Sequence, residues 1–88
     1  MRYVNEGQWD RVVAIARDRW DTCLFKDELL RSTGEDLQLA KVIFMIHCSY
    51  SLSFMKEQVE ALAWRTPEQC VKEGMRDLLR VVLLSSPI

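Results

Sequence analysis

Four side chains in this sequence are of the kinds that hold transition metals: Cys23, His47, Cys48 and Cys70. Three thiols and one imidazole make a zinc-like donor set, and zinc requires its ligands within about 2.0–2.3 Å in a tetrahedral arrangement. The spacing works against a shared ion. His47 and Cys48 are adjacent, and adjacent side chains on a helix diverge by about 100°. Cys70 opens a later element, opposite the far end of the helix expected to carry Cys48, and about fourteen residues of helix between those levels amount to roughly 20 Å. The same separation argues against a Cys48–Cys70 disulfide within the chain. The sequence therefore predicts no metal, no cofactor and three free thiols. An odd count with no CxxC pair suits a reducing, cytoplasmic compartment.

His47 is the sole histidine and the natural candidate for a general base or a pH-sensitive group. A base needs a nucleophile and an orienting group within reach. Ser49 and Ser51 are near in sequence, but a regular helix supplies no strained turn to present them. The imidazole is expected to be a partly buried, hydrogen-bonded group, and the chain is expected not to be an enzyme. Lys72, Arg76 and Arg80 recur every fourth residue as a basic stripe. Glu68, Glu73 and Asp77 interleave at spacings of three and four, the pattern of a solvated, salt-bridged face.

The elements that position these groups follow from the whole chain. Its 88 residues are 49% apolar and 28% charged with net charge −1, which fits one globular domain, residues 1–88, with a thin core. Acids and bases are evenly mixed, and the basic excess of a duplex-binding domain is absent, so nucleic acid is not the expected partner. The first ten residues, MRYVNEGQWD, have no apolar segment of a secretory signal. The fourteen uncharged residues Val42 to Met55 fall short of the roughly 20 needed to span a bilayer, so no membrane is expected.

Three helices are predicted. The first is capped by Asn5 with Gln8 as reciprocal partner. It carries Trp9, Val12, Val13, Ala16 and Trp20 on one face and continues to Leu30. Thr22 offers a cap for a separate helix from Cys23, which would divide this one at Asp21 and Thr22. The second starts at a capping box, Ser32 to Glu35, and runs through residues 34–64 without internal Gly or Pro, about 45 Å of helix. The third starts at Thr66, with Pro67 in the first helical position and Gln69 completing the box. It runs to Leu84 and ends at Ser85, Ser86 and Pro87. Gly74 sits inside it at a cost of about 1 kcal/mol. Short connections make neighbouring helices antiparallel. The fold class is all-α, a small antiparallel three-helix bundle with a long central helix, the first helix open to division in two.

The middle of the central helix nearly lacks a polar side, more apolar circumference than two short neighbours can cover. The sequence thus predicts a non-enzymatic protein–protein interaction module: an adaptor, inhibitor or regulatory subunit that acts as a helical homodimer on another protein. Trp9, Trp20, Met45, Ser49, Tyr50 and Phe54 are the expected interface. Met45 is the one large apolar residue on the otherwise polar strip Gln38, Lys41, Ser49, Ser53, Lys56 and Glu60. The alternative is a nucleic-acid-associated module, by analogy with the short–long–short helix proportions of a histone-like fold.

Overall fold

A computed structural model describes residues 5–85. The fold class is all-α, and the element boundaries show where local chemistry overrides a continuous helical pattern. Helix α1, Glu6–Trp20, begins as expected, with the Asn5 side chain accepting from the Gln8 N–H at 3.0 Å. It buries Trp9, Ala16 and Trp20. The chain does divide after it, but not by the expected cap. The Thr22 hydroxyl turns back to donate to the Arg19 carbonyl (2.7 Å), and helix α2 starts only at Lys26, running Lys26–Ser32.

The next boundary corrects the Ser32/Glu35 capping box. Ser32 ends α2. Gly34 (φ +66°) and Glu35 (φ +64°) take left-handed backbone, where the Gly34 N–H donates to the Arg31 carbonyl (3.1 Å) and the Glu35 N–H to the Leu30 carbonyl (2.7 Å). These paired bonds are the Schellman closure of a helix C-terminus. The buried Thr33 hydroxyl donates to the carbonyls of Leu29 and Leu30. The residue that caps the following helix is Asp36, whose carboxylate accepts from the Leu39 N–H (3.1 Å).

Helix α3, Leu37–His47, is sandwiched by the rest of the chain and buries Leu39, Ala40, Val42, Ile43, Phe44 and Met45. Its main partner is α1, with α2 and α6 also against it. The single helix expected over 34–64 is absent. At ~45 Å it would exceed the 34 Å longest dimension of the fold. The chain breaks at Cys48 (φ 49°, ψ −123°), passes through a 3₁₀ turn, Cys48–Tyr50, and re-enters a short helix, α4, Ser51–Met55. The buried Ser51 hydroxyl holds the joint by donating to the Cys48 carbonyl (2.6 Å), with the Ile43 carbonyl at 3.4 Å. Leu37–Met55 is long and apolar enough to cross a membrane by length and composition, but 44% of it is buried inside this fold.

Past α4 the chain closes a loop across a Val59–Arg65 bridge with a 3₁₀ turn, Glu60–Leu62, inside it. Helix α5, Pro67–Lys72, has the expected complete capping box of Thr66 and Gln69 and Pro67 at its first turn. Its expected continuation through Gly74 does not occur. Gly74 (φ +75°) is a second Schellman closure, with bonds Gly74 N–H to Val71 O (3.3 Å) and Met75 N–H to Cys70 O (2.7 Å). Helix α6, Arg76–Ser85, follows. The expected stop at Ser86 and Pro87 lies outside the described residues. Each predicted helix is thus divided, and the long central helix behind both the three-helix bundle and the histone-like comparison is replaced by α3, α4 and the closed loop.

Candidate interaction surface

The expected interface residues fall into two groups. Trp9, Trp20, Met45 and Phe54 are in the core, between 1% and 8% exposed. Trp9 donates its indole N–H to Gln38 Oε1 (3.1 Å), with the Arg80 guanidinium 5.3 Å from the ring centroid. Trp20 meets Phe44 edge-on, centroids 6.2 Å apart. Met45 does not stand on an outward strip; it lies in the same cluster as these rings. Ser49 and Tyr50 reach solvent. The break at Cys48 explains the difference. A straight helix would leave one side of Val42 to Met55 uncovered, whereas the bent chain folds both arms onto a common core.

The polar groups around that break form a small cluster. His47 stacks on Phe54, ring centroids 3.9 Å apart and planes at 21°. Its Nε2 is buried without a hydrogen-bond partner, contrary to the satisfied imidazole expected. Burial lowers its pKa below the ordinary 6.5, and the nearby Glu57 carboxylate partly opposes that shift. Tyr50 donates its hydroxyl to Glu57, and this bond, ahead of burial, raises the phenol pKa.

The thiols are dispersed. Cys23 and Cys70 are buried and Cys48 is exposed; burial raises the pKa of Cys70. Among the described residues no group of three or more His, Cys, Asp or Glu is placed to share a metal ion. The basic stripe is internally engaged. Lys72 pairs with Glu68 (3.6 Å), while Arg76 (3.3 Å) and Arg80 (3.8 Å) both reach Asp36. Arg80 also meets Asp77. Glu73 pairs with Arg65 rather than with Arg76. The Asp36 carboxylate thereby ties α6 to the start of α3.

The large apolar side chains that are exposed lie mostly outside the expected interface. Leu24 is 97% exposed, Ile15 62%, Trp64 61% and Leu37 44%, with Tyr50 at 46% the one expected residue among them. Leu24 stands in the α1–α2 connection beside an open hollow of about 410 Å³ that Phe25, Lys26 and Arg31 help to line. Ile15 was legible, because it lies off the Trp9–Val12–Val13–Ala16–Trp20 stripe. Leu24 was hidden by the assumption that helix continues through Cys23. Trp64 was expected at the end of the 34–64 helix, and no local signal marks the left-handed backbone that turns it outward.

Comparison with known proteins finds no matching family model, no similar curated protein and no similar solved structure.

Proposed function

We propose that this protein is a non-enzymatic, helical protein–protein interaction module of the adaptor, inhibitor or regulatory-subunit kind. One observation carries the reading: the core closes within one chain around Trp9, Leu39, Ile43 and Leu79, yet Leu24 and Trp64 are held out in solvent. Scattered exposed apolar residues are ordinary. A fully exposed Leu on a connection and an exposed Trp on a closed loop are better placed to meet a partner than to stabilise the fold, and Trp is enriched among residues that dominate binding energy. Buried thiols at Cys23 and Cys70 support a reducing, cytoplasmic setting.

Self-association is the narrower form of the same reading. A twofold dimer is the commonest closed assembly, and here it would be built from Ile15, Leu24 and Leu37 rather than from the buried Met45. The test has two parts. Affinity capture from the native host is run with the parent chain and with a Leu24→Ser/Trp64→Ser variant. A protein retained by the parent and lost by the variant supports the reading; identical recovery on both, or no recovery, contradicts it. Sedimentation at tens of micromolar then separates a dimer from a 10.3 kDa monomer.

A further inference from the structure

The loop between α4 and α5 is closed by its own backbone. The Val59 N–H donates to the Arg65 carbonyl (3.1 Å), the Ala63 N–H to the Glu60 carbonyl (3.0 Å) and the Trp64 N–H to the Val59 carbonyl (3.0 Å). Leu62 anchors it inward, fully buried, while Trp64 remains 61% exposed. Two consecutive non-glycine residues, Ala63 (φ 56°) and Trp64 (φ 62°), take left-handed backbone to achieve this. For a bulky side chain that conformation is a genuine outlier, and such outliers concentrate at binding and switching sites. The fold draws no compensation from the indole, which has no hydrogen bond or ring contact among the described residues.

The cations of the loop have ion pairs and its carboxylates do not, among the described residues. Its two cations have partners on α5 and the turn after it, Lys56 sharing Glu68 (3.5 Å) with Lys72 and Arg65 pairing with Glu73 (3.3 Å). Glu60 has no ion pair among the described residues, and Glu57 accepts from the Tyr50 hydroxyl and lies near His47 without an ion pair. An exposed indole on a loop whose two carboxylates have no ion pair among the described residues is complementary to a cationic side chain. Such a side chain is attracted to the ring face and steered by the carboxylates.

We propose that the Trp64 loop is the docking point for a basic segment of a partner protein, with an Arg side chain laid on the Trp64 indole and its charge met by Glu57 and Glu60. This rests on the interaction-module reading and deepens it by naming the chemistry of the partner. Arg is favoured over Lys because its planar, weakly hydrated guanidinium stacks on aromatic faces.

The test uses the full chain and three capped, dye-labelled peptides: one of alternating Arg and Gly, one with citrulline for each Arg, and one with Glu for each Arg. Fluorescence anisotropy reads binding. The Arg peptide is expected to bind saturably and in a salt-sensitive way, and the other two not to bind. Trp64→Leu is expected to weaken binding by about five-fold, the scale of an exposed cation–π contact. Glu57→Gln with Glu60→Gln is expected to weaken it by about ten-fold. Trp64→Gly should weaken binding at least as much while its thermal midpoint stays at or above that of the parent, because Gly relieves the backbone at this position. Equal binding of the citrulline peptide, no binding of the Arg peptide, or Trp64→Leu binding as tightly as the parent overturns the proposal. A Trp64→Gly chain that still captures the parent's host partner overturns this assignment alone and leaves the broader reading standing.

Discussion

The chain makes two kinds of left-handed turn, and they are held by different means. At Gly34 and Gly74 a glycine ends a helix, and the paired Schellman bonds lie within the turn itself. At Cys48 and at Ala63 and Trp64 the same half of backbone space is occupied without glycine. There the support comes from farther off: the Ser51 hydroxyl reaching back to the Cys48 carbonyl, and the Val59–Arg65 bridge closing the loop around Trp64. The Gly74 turn shapes the fold at little conformational cost, while the Gly34 turn also holds Glu35 (φ +64°) in left-handed backbone. The other two carry strain that the surrounding structure must over-determine, and they lie beside the exposed residues Tyr50 and Trp64 and the stacked, unsatisfied His47.

Substitutions can sharpen that contrast. The largest effect is expected at Gly34, where a Cβ would lie 2.9 Å from Val71 Cγ1 and 2.8 Å from the Arg76 guanidinium, on a φ of +66°. Gly34→Ala should cost about 2–3 kcal/mol in chemical denaturation, left-handed strain plus overpacking. Gly74 has the same backbone sign but open space around it, so Gly74→Ala should cost only about 1 kcal/mol. Equal losses at the two glycines would mean that packing at Gly34 is irrelevant.

Ser51→Ala removes the buried hydroxyl that joins α3 to α4 and should cost about 1–2 kcal/mol, the usual penalty for leaving a buried polar group short of its partner. An unchanged midpoint would show that the break at Cys48 holds without it. Cys48→Gly should act in the opposite direction. Its φ and ψ resemble the first central position of a type II′ turn, which normally takes Gly, so the change should stabilise by about 0.5–1 kcal/mol. A loss of stability there would contradict the strained geometry.

The smallest effect is that of pH on His47. Its folded pKa lies below the ordinary 6.5, first because of burial. Between that lowered value and 6.5 the unfolded chain binds more protons, so stability rises with pH across this window. The contribution is fully present above 6.5 and is lost as pH falls toward the folded pKa. Denaturation midpoints from pH 5 to 7.5 should therefore fall less in His47→Gln than in the parent on the acid side. Parallel curves would separate His47 from that dependence.

The sequence was legible where one residue settles a local geometry. Asn5 and Thr66 cap as their side chains require, Pro67 stands at a helix start, and the division after Trp20 was foreseen at the right place though not by the right hydrogen bond. It was less legible where two readings share the same residues. Asp36, one position past the supposed box partner Glu35, does the capping. Gly74 suits both a tolerated interior glycine and a helix terminator; the short helix ahead of it and the sharp turn it makes are tertiary facts. The break at Cys48 had no local signal, because neither Cys nor Ser announces a left-handed residue. That one missed joint changed the site. It buried Met45 and Phe54, put Trp9 and Trp20 in a closed core, and left Trp64 on a loop rather than at the end of a helix.

The most direct test of this account exploits the unequal exposure of its three tryptophans. Trp9 and Trp20 are 1% and 8% exposed and Trp64 is 61% exposed. Acrylamide quenching of the native chain should resolve one accessible tryptophan and two protected ones, and Trp64→Leu should abolish the accessible fraction while leaving the protected emission intact. Quenching of Trp9 or Trp20 in the native state, or a protected Trp64, would contradict a core closed within one chain and a tryptophan set outside it.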